Sequence, residues 1–333
     1  MSAEAAGAAS TEQSPAPRAG SVRVGLIVGP TGTGKSAVAL EVAERIGAEI
    51  VNADSRQFYC GMDIGTAKPA AEERRRVAHH LFDIRSPRRP LDVAEFRSLA
   101  AAAIADIAAR GRRVLVVGGS GFYLRVLSGG IFAGPPASIE IRRELEAIAA
   151  ARGIAHLHAM LAGFDPEAAR RIGPRDVYRI ARAIEVFRIT GVTISEHQRR
   201  HRFARREYET LTVGIATERA RLYRALDSRF DAMVAGGLVG EVRALLEAGH
   251  DPKRSPLAAV GYRQIAAALR GETDLAAAIT LAKRDTRRLA KRQLTWFRAD
   301  PELKWVDAEH AAEQAFALFA RFFDRTESAQ SEN

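Results

Sequence analysis

Residues 22–28, Val-Arg-Val-Gly-Leu-Ile-Val, form a β-rich run that ends at a glycine. From Lys35 the apolar positions then recur four apart at Val38, Val42 and Ile46. That change of period predicts a strand, a glycine turn and a helix. Residues 48–52 read as a second strand. An Ala-rich helix over 94–109 precedes a third buried strand, 113–117, which runs into Gly118-Gly-Ser-Gly121 and another helix. Strands alternating with helices predict βαβ units and a parallel sheet, with ligands at the carboxyl ends of its strands.

From Pro135 the pattern changes. Residues 138 to about 205 carry helical spacings without a convincing strand and end in a basic cluster, Arg199, Arg200, Arg202, Arg205 and Arg206. Residues 211–216 predict a strand returning to the sheet, and everything afterwards reads as helical to about Asp324. The expected architecture is therefore an α/β core (21–134 plus 206–324) with C-terminal helices, interrupted by a helical insertion (135–205). Polar tails are expected at 1–20 and 325–333.

The 333 residues are enough for about two such units. No apolar run approaches the ~18–20 residues needed to span a bilayer, and residues 1–20 lack the basic start and apolar centre of a signal peptide. Cys60 is the only cysteine, which excludes an internal disulfide and a cysteine-based zinc module. These features predict a soluble protein of a reducing compartment, the cytoplasm.

The first turn carries the strongest chemistry. Gly29-Pro30-Thr31-Gly32-Thr33-Gly34-Lys35-Ser36 satisfies G-x-x-x-x-G-K-[ST] between a predicted strand and helix, the pattern of a phosphate-binding loop (P-loop). Glycines let backbone N–H groups turn inward to phosphate oxygens, and the helix N-terminus adds positive potential. Lys35 supplies a point charge and Ser36 a hydroxyl for Mg²⁺. The motif alone suggests ATP or GTP. However, the third strand ends in Gly-Gly-Ser-Gly where ATPases present an acid, which argues against a motor or switch GTPase. An acid instead follows the second strand, in Asn52-Ala53-Asp54-Ser55-Arg56-Gln57. With that strand end placed beside the phosphate loop, Asp54 becomes a candidate general base.

Three other segments, 61–69 (GMDIGTAKP), 118–123 (GGSGFY) and 261–264 (GYRQ), read as tight turns by composition alone. Charge is more telling. Fifty Lys and Arg against 40 Asp and Glu give a net +10. Lys283, Arg287 and Lys291 step by four, as do Arg284, Arg288 and Arg292, a helical face that only Asp285 interrupts. Repulsion along it would be relieved by a polyanion, so nucleic-acid contact is expected there and at the basic end of the insertion.

Taken in order, GPTGTGKS, ADSRQ with FYCGMDIGTAKP, HHLFDI at 79–84, GGSGFY, GYRQ and KRQLTWFR make the chain closely resemble tRNA dimethylallyltransferases, also called tRNA isopentenyltransferases, over roughly residues 22–300. The resemblance implies a P-loop NTPase-like fold. It also implies transfer of a dimethylallyl group from dimethylallyl diphosphate to N6 of the adenosine 3′ of a tRNA anticodon (adenosine-37), with release of pyrophosphate. By motif match Asp54 takes the N6 proton. Thr31, Lys35 and Ser36 hold the leaving pyrophosphate with Mg²⁺, while Gly32, Thr33 and Gly34 add backbone donors. The tRNA-contacting positions are Asp54, Ser55, Arg56, Gln57 and Ser120, with Arg142 at the start of the insertion. Relatives often carry a Gln-Arg pair where this chain has Tyr178-Arg179 before Arg182. With Arg263, Lys283, Arg287 and Lys291, these residues complete the surface expected for the anticodon stem-loop. A monomer is expected. The competing readings are a small-molecule kinase using Asp54 as base, a non-catalytic RNA-binding nucleotide switch, and an isopentenyltransferase acting on free adenine nucleotides.

Overall fold

The computed structural model describes residues 21–129, 134–201, 207–252 and 256–325. The expected tail at 1–20, all but Arg325 of the expected tail at 325–333, and Arg202, Arg205 and Arg206 of the basic cluster lie outside them. The chain divides into two compact units, one built on residues 129–205 and one on 17–128 with 206–333.

In the larger unit, β1 (Arg23–Val28), α1 (Lys35–Ile46) and β2 (Ala48–Asn52) are followed by α2 (Ala71–Arg76), β3 (His79–His80), α3 (Val93–Ala109), β4 (Arg113–Gly118) and α4 (Gly121–Gly129). The smaller unit contains α5 (Ile139–Arg152), α6 (Ile154–Phe164), α7 (Pro166–Arg171), α8 (Val177–Thr190) and α9 (Ile194–His201). The larger unit resumes with β5 (Glu209–Ala216), α10 (Arg219–Ala235) and α11 (Leu238–Glu247). A 3-10 turn at Pro256–Ala258 leads to α12 (Tyr262–Leu269), α13 (Leu275–Arg298), β6 (Lys304–Asp307) and α14 (Ala311–Asp324).

Among the described residues all six strands are parallel, in the order β3-β2-β4-β1-β5-β6. The central strands are buried on both faces, which explains their nearly unbroken apolar runs. Val24, Leu26, Val28, Val114 and Val116 point into a core shared with α3, α11 and α12. Ile27, Leu115 and Val117 point into a second core closed by α1 and α14, with Phe319 at its centre.

One expectation is corrected here. The C-terminal part is not helical throughout, because β6 adds to the sheet beside β5. This four-residue edge strand buries only Val306, too little to give a period. In the sheet, β4 lies between β1 and β2. Their ends are nevertheless level: Val28 is opposite Gly118, and Val117 is opposite Asn52.

The smaller unit has its own core around Leu145, Leu157, Leu161, Ile180 and Ile184. No single helix among the described residues is long and apolar enough to cross a membrane.

Candidate active site

The level ends of β1, β4 and β2 bring three loops to one edge of the sheet. Gly118 permits the closest of these approaches, since a Cβ there would stand 2.4 Å from the Ala53 carbonyl oxygen. The Ala53 N–H donates to the Val117 carbonyl at 2.8 Å. The residue after Ala53 is Asp54, so the β2 loop is drawn across β4 toward the phosphate loop.

That loop runs from Gly29 to Gly34 into α1, with Gly29, Gly32 and Gly34 all at positive φ. Its side chains are partly spent on its own shape. Thr33 Oγ1 and Lys35 Nζ donate to the Pro30 carbonyl at 3.0 and 2.7 Å. Desolvation lowers the Lys35 pKa to about 8, against the pull of Asp54 and helped by Arg229. The ammonium is therefore largely charged at pH 7, with little water to compete with an anion.

The Asp54 N–H is fixed by Asn52 Oδ1 at 2.8 Å, and its own Oδ1 accepts from the Arg56 N–H at 2.9 Å. Its second oxygen has no hydrogen-bond partner among the described residues. Asp54 is one wall of a cleft of about 300 Å³ that Thr31, Ser55, Arg56, Ser120 and Arg263 also line. Ser120 Oγ accepts from the Ser55 N–H at 3.1 Å and joins the β2 and β4 loops. The cleft has an apolar side as well, formed by Leu226, Phe230, Met233 and Leu289.

Nothing in the sequence signals that three further polar residues line this cleft, although Arg292 was already part of the cationic face of α13. Arg229 of α10 lines the cleft, and burial lowers its pKa while Asp54 opposes that shift. Arg292 lines it too. Gln293 of α13 accepts from the Thr31 N–H at 2.9 Å and donates to the Gly119 carbonyl at 2.8 Å. It therefore stitches the phosphate loop to the β4 loop. No period marks Arg229; Arg292 was visible only as a step of the cationic face of α13, and Gln293 only within KRQLTWFR, with no signal for its contact.

Several residues expected to contact RNA have partners within the protein. Gln57 is buried and is not in the cleft; its amide donates to the Thr66 and Ala67 carbonyls at 3.1 Å. The cationic face of α13 is largely neutralised by carboxylates. Lys283 pairs with Asp231 and Arg287 with Asp227, both on α10. Half-buried Asp285 gathers Arg263 at 2.6 Å, with Arg284 and Arg288 farther off. Uncompensated repulsion is thus not the state of this helix, because the acids come from a helix some fifty residues earlier. Lys291 and Arg292 remain exposed beyond them.

Within the helical unit, Arg142 and Arg182 both bind the fully buried Glu185 at 3.0 and 2.6 Å, and the Ser138 N–H donates to it at 2.8 Å. Burial pushes the Glu185 pKa up, but these donors outweigh it and hold the carboxyl below its usual range. Both arginines are thereby committed to the unit's own structure. Tyr178 is 71% exposed and Arg179, beside Asp176, is exposed as well. Arg199 and Arg200 pair with Glu196.

The sheet order, the loop at its edge and the cleft with cationic, carboxylate and apolar walls define a P-loop α/β protein with a cleft suited to an anionic ligand that carries an apolar group. The family model described as IPP transferase matches residues 57–300. A tRNA dimethylallyltransferase of Geobacter metallireducens is 53% identical over 285 residues, 86% of this chain and 92% of that protein. Among solved structures, the full-length tRNA isopentenylpyrophosphate transferase of Bacillus halodurans aligns with a TM-score of 0.66 at 36% identity, covering 90% of this chain and 95% of its own. A eukaryotic dimethylallyltransferase acting on tRNA aligns with a TM-score of 0.78 at 26% identity, covering 91% and 80%. The chain belongs to the IPP transferase family.

Proposed function

We propose that the protein transfers the dimethylallyl group of dimethylallyl diphosphate to N6 of the adenosine 3′ of the anticodon (adenosine-37) in tRNA, releasing pyrophosphate. The observation that carries this reading is the composition of one cleft. Thr31, Arg229 and Arg292 offer anion-binding groups, Leu226, Phe230 and Met233 an apolar wall, and Asp54 a carboxylate oxygen without a partner. A prenyl diphosphate has one anionic and one apolar end, and an exocyclic amine that attacks it must shed a proton.

In the reaction the C1–O bond breaks as the N6–C1 bond forms. The electron pair leaves with the diphosphate, and the N6 proton passes to Asp54. Charge that builds on the leaving oxygen meets donors already in place. These are the backbone N–H groups of the loop, the start of α1, the Lys35 ammonium and the Arg229 guanidinium. No water has to be activated, which agrees with β4 ending in glycines. The exposed Ser36 hydroxyl is a hard oxygen donor, and no group of three His, Cys, Asp or Glu suited to a metal occurs among the described residues. This donor set fits Mg²⁺, which takes few protein ligands and completes its shell with substrate oxygens and water. Ser36 would hold Mg²⁺ beside the diphosphate, where it would neutralise leaving-group charge.

An adenine within an anticodon loop must leave its stack to reach such a cleft. Ser55, Arg56, Ser120 and Arg263, which line the cleft, receive that nucleotide, and the helical insertion contacts the stem-loop through Tyr178 and Arg179. The protein acts as a cytoplasmic monomer.

The test is incubation with undermodified tRNA, Mg²⁺ and dimethylallyl diphosphate labelled in the prenyl group, beside a parallel reaction with γ-labelled ATP. Prenyl label in RNA is the expected result. Label transferred only from ATP would establish the kinase reading instead.

A further inference from the structure

The turn at 63–66 forms one side of the cleft through Gly65 and Thr66, and its backbone points three N–H groups at a single side chain. Glu241 of α11 accepts from the Asp63 N–H at 2.9 Å and the Ile64 N–H at 2.7 Å through one oxygen. Through the other it accepts from the Gly65 N–H at 3.2 Å and the Tyr262 hydroxyl at 2.5 Å. Four donors on one carboxylate make charge-assisted bonds, stronger than their neutral counterparts. Successive N–H groups that converge in this way form a small anion nest, here filled by the protein itself.

The consequence is a wall of fixed shape. Tyr262 is fully buried, and its ring lies so close to Gly65 that a Cβ there would come within 2.5 Å of Cε2 and 2.8 Å of Leu238. Only glycine lets the turn close on the ring. On its other side the turn is held by the buried Lys68, whose ammonium donates to the Tyr59 carbonyl at 2.5 Å and pairs with Asp63 and Asp83. Tyr262 and the 63–66 turn share the cleft with Phe230 and Met233, on its apolar side.

We infer that Glu241 is a positioning residue for the hydrocarbon end of the donor. By clamping the 63–66 turn onto Tyr262 it fixes the wall that encloses the prenyl chain, while taking no part in diphosphate binding. This rests on the functional reading above, because it requires a prenylated ligand in the cleft. It also gives GYRQ and the DIGT part of the 61–69 segment one common purpose: each supplies one face of the same contact.

The test separates the two ends of the ligand. Calorimetry measures the Kd of inorganic pyrophosphate and of dimethylallyl S-thiolodiphosphate for the full chain and for Glu241→Ala, Glu241→Gln and Tyr262→Phe. The native chain binds the prenylated compound more tightly than pyrophosphate. Glu241→Ala loses on the order of tenfold of that advantage, with pyrophosphate affinity unchanged. Glu241→Gln and Tyr262→Phe, which keep part of the clamp and the shape of the ring, lose less. In turnover, KM for the donor rises while KM for tRNA stays the same. A clamp that merely supported the fold would weaken both ligands together, and that result, or an undiminished prenyl advantage in all three variants, overturns the inference. Should Glu241→Ala not fold, the other two variants decide it alone. A native chain that gains nothing from the prenyl group contradicts the functional reading instead.

Discussion

Asp54 and Lys35 divide the work that an amine nucleophile and a diphosphate leaving group require. Asp54 uses one oxygen to hold its own turn and keeps the other for a proton. Lys35 waits on the Pro30 carbonyl, a contact that a diphosphate oxygen would replace. Asp54→Ala is expected to lower kcat by roughly 10²–10⁴-fold, the usual worth of a general base, and to leave tRNA affinity intact; single-turnover kinetics beside filter binding separate the two. Lys35→Ala is expected to raise the donor Kd and KM together, with pyrophosphate binding as the direct readout. The phosphate loop was legible in the sequence because its demands are local: glycines where φ is positive, then a Lys and a Ser at the start of a helix. The contact of Gln293 with Thr31 was not, since it joins residues 262 apart in the chain. Arg229 was invisible for a similar reason: on an amphipathic helix, an arginine facing a cleft looks like one facing water.

At the scale of elements, α13 shows what a charge pattern leaves out. The spacing of its cations was correct, but their partners on α10 had to be seen. Lys283 and Arg287 tie α13 to α10 through exposed or half-exposed ion pairs. Arg287→Ala is therefore expected to cost no more than about 1 kcal/mol of stability, measured by urea unfolding, with no change in the salt dependence of tRNA binding. Lys291→Ala, without such a pair among the described residues, is expected to reduce the slope of log K against log[salt] by about one phosphate contact. The edge strands taught the opposite lesson. β3 and β6 are too short to show a period, yet β3 carries a defined polar contact. Glu49 of β2 is buried, and its hydrogen bonds with Arg110 and then His80 hold its pKa at about 2 against the upward push of burial. A carboxyl lowered in the fold contributes stability that is complete above its unfolded pKa, near 4.5. That contribution is lost as pH falls toward 2. Glu49→Gln is thus expected to flatten the acid limb of stability between about pH 4.5 and 2, by an amount on the order of 2 kcal/mol.

For the molecule as a whole, the alternation of strands and helices predicted the parallel sheet, because each central strand is apolar enough to be buried on both faces. It could not predict strand order, since β4 enters between β1 and β2 without any local mark. The active cleft depends on that order. It levels the three strand ends so that phosphate loop, carboxylate and the β4 glycines share one edge of the sheet, and α10 to α13 bring the apolar wall to the same place. The central claim is that this edge joins a prenyl group to an adenine amine with Asp54 as the proton acceptor. Its most direct test is nucleoside analysis of tRNA after reaction with labelled dimethylallyl diphosphate, using the native chain and Asp54→Ala matched for tRNA binding. The account predicts label in one nucleoside, N6-(dimethylallyl)adenosine from the position 3′ of the anticodon, and its near-absence with the variant. Label at another nucleoside or another atom, or an equal yield from Asp54→Ala, would contradict it.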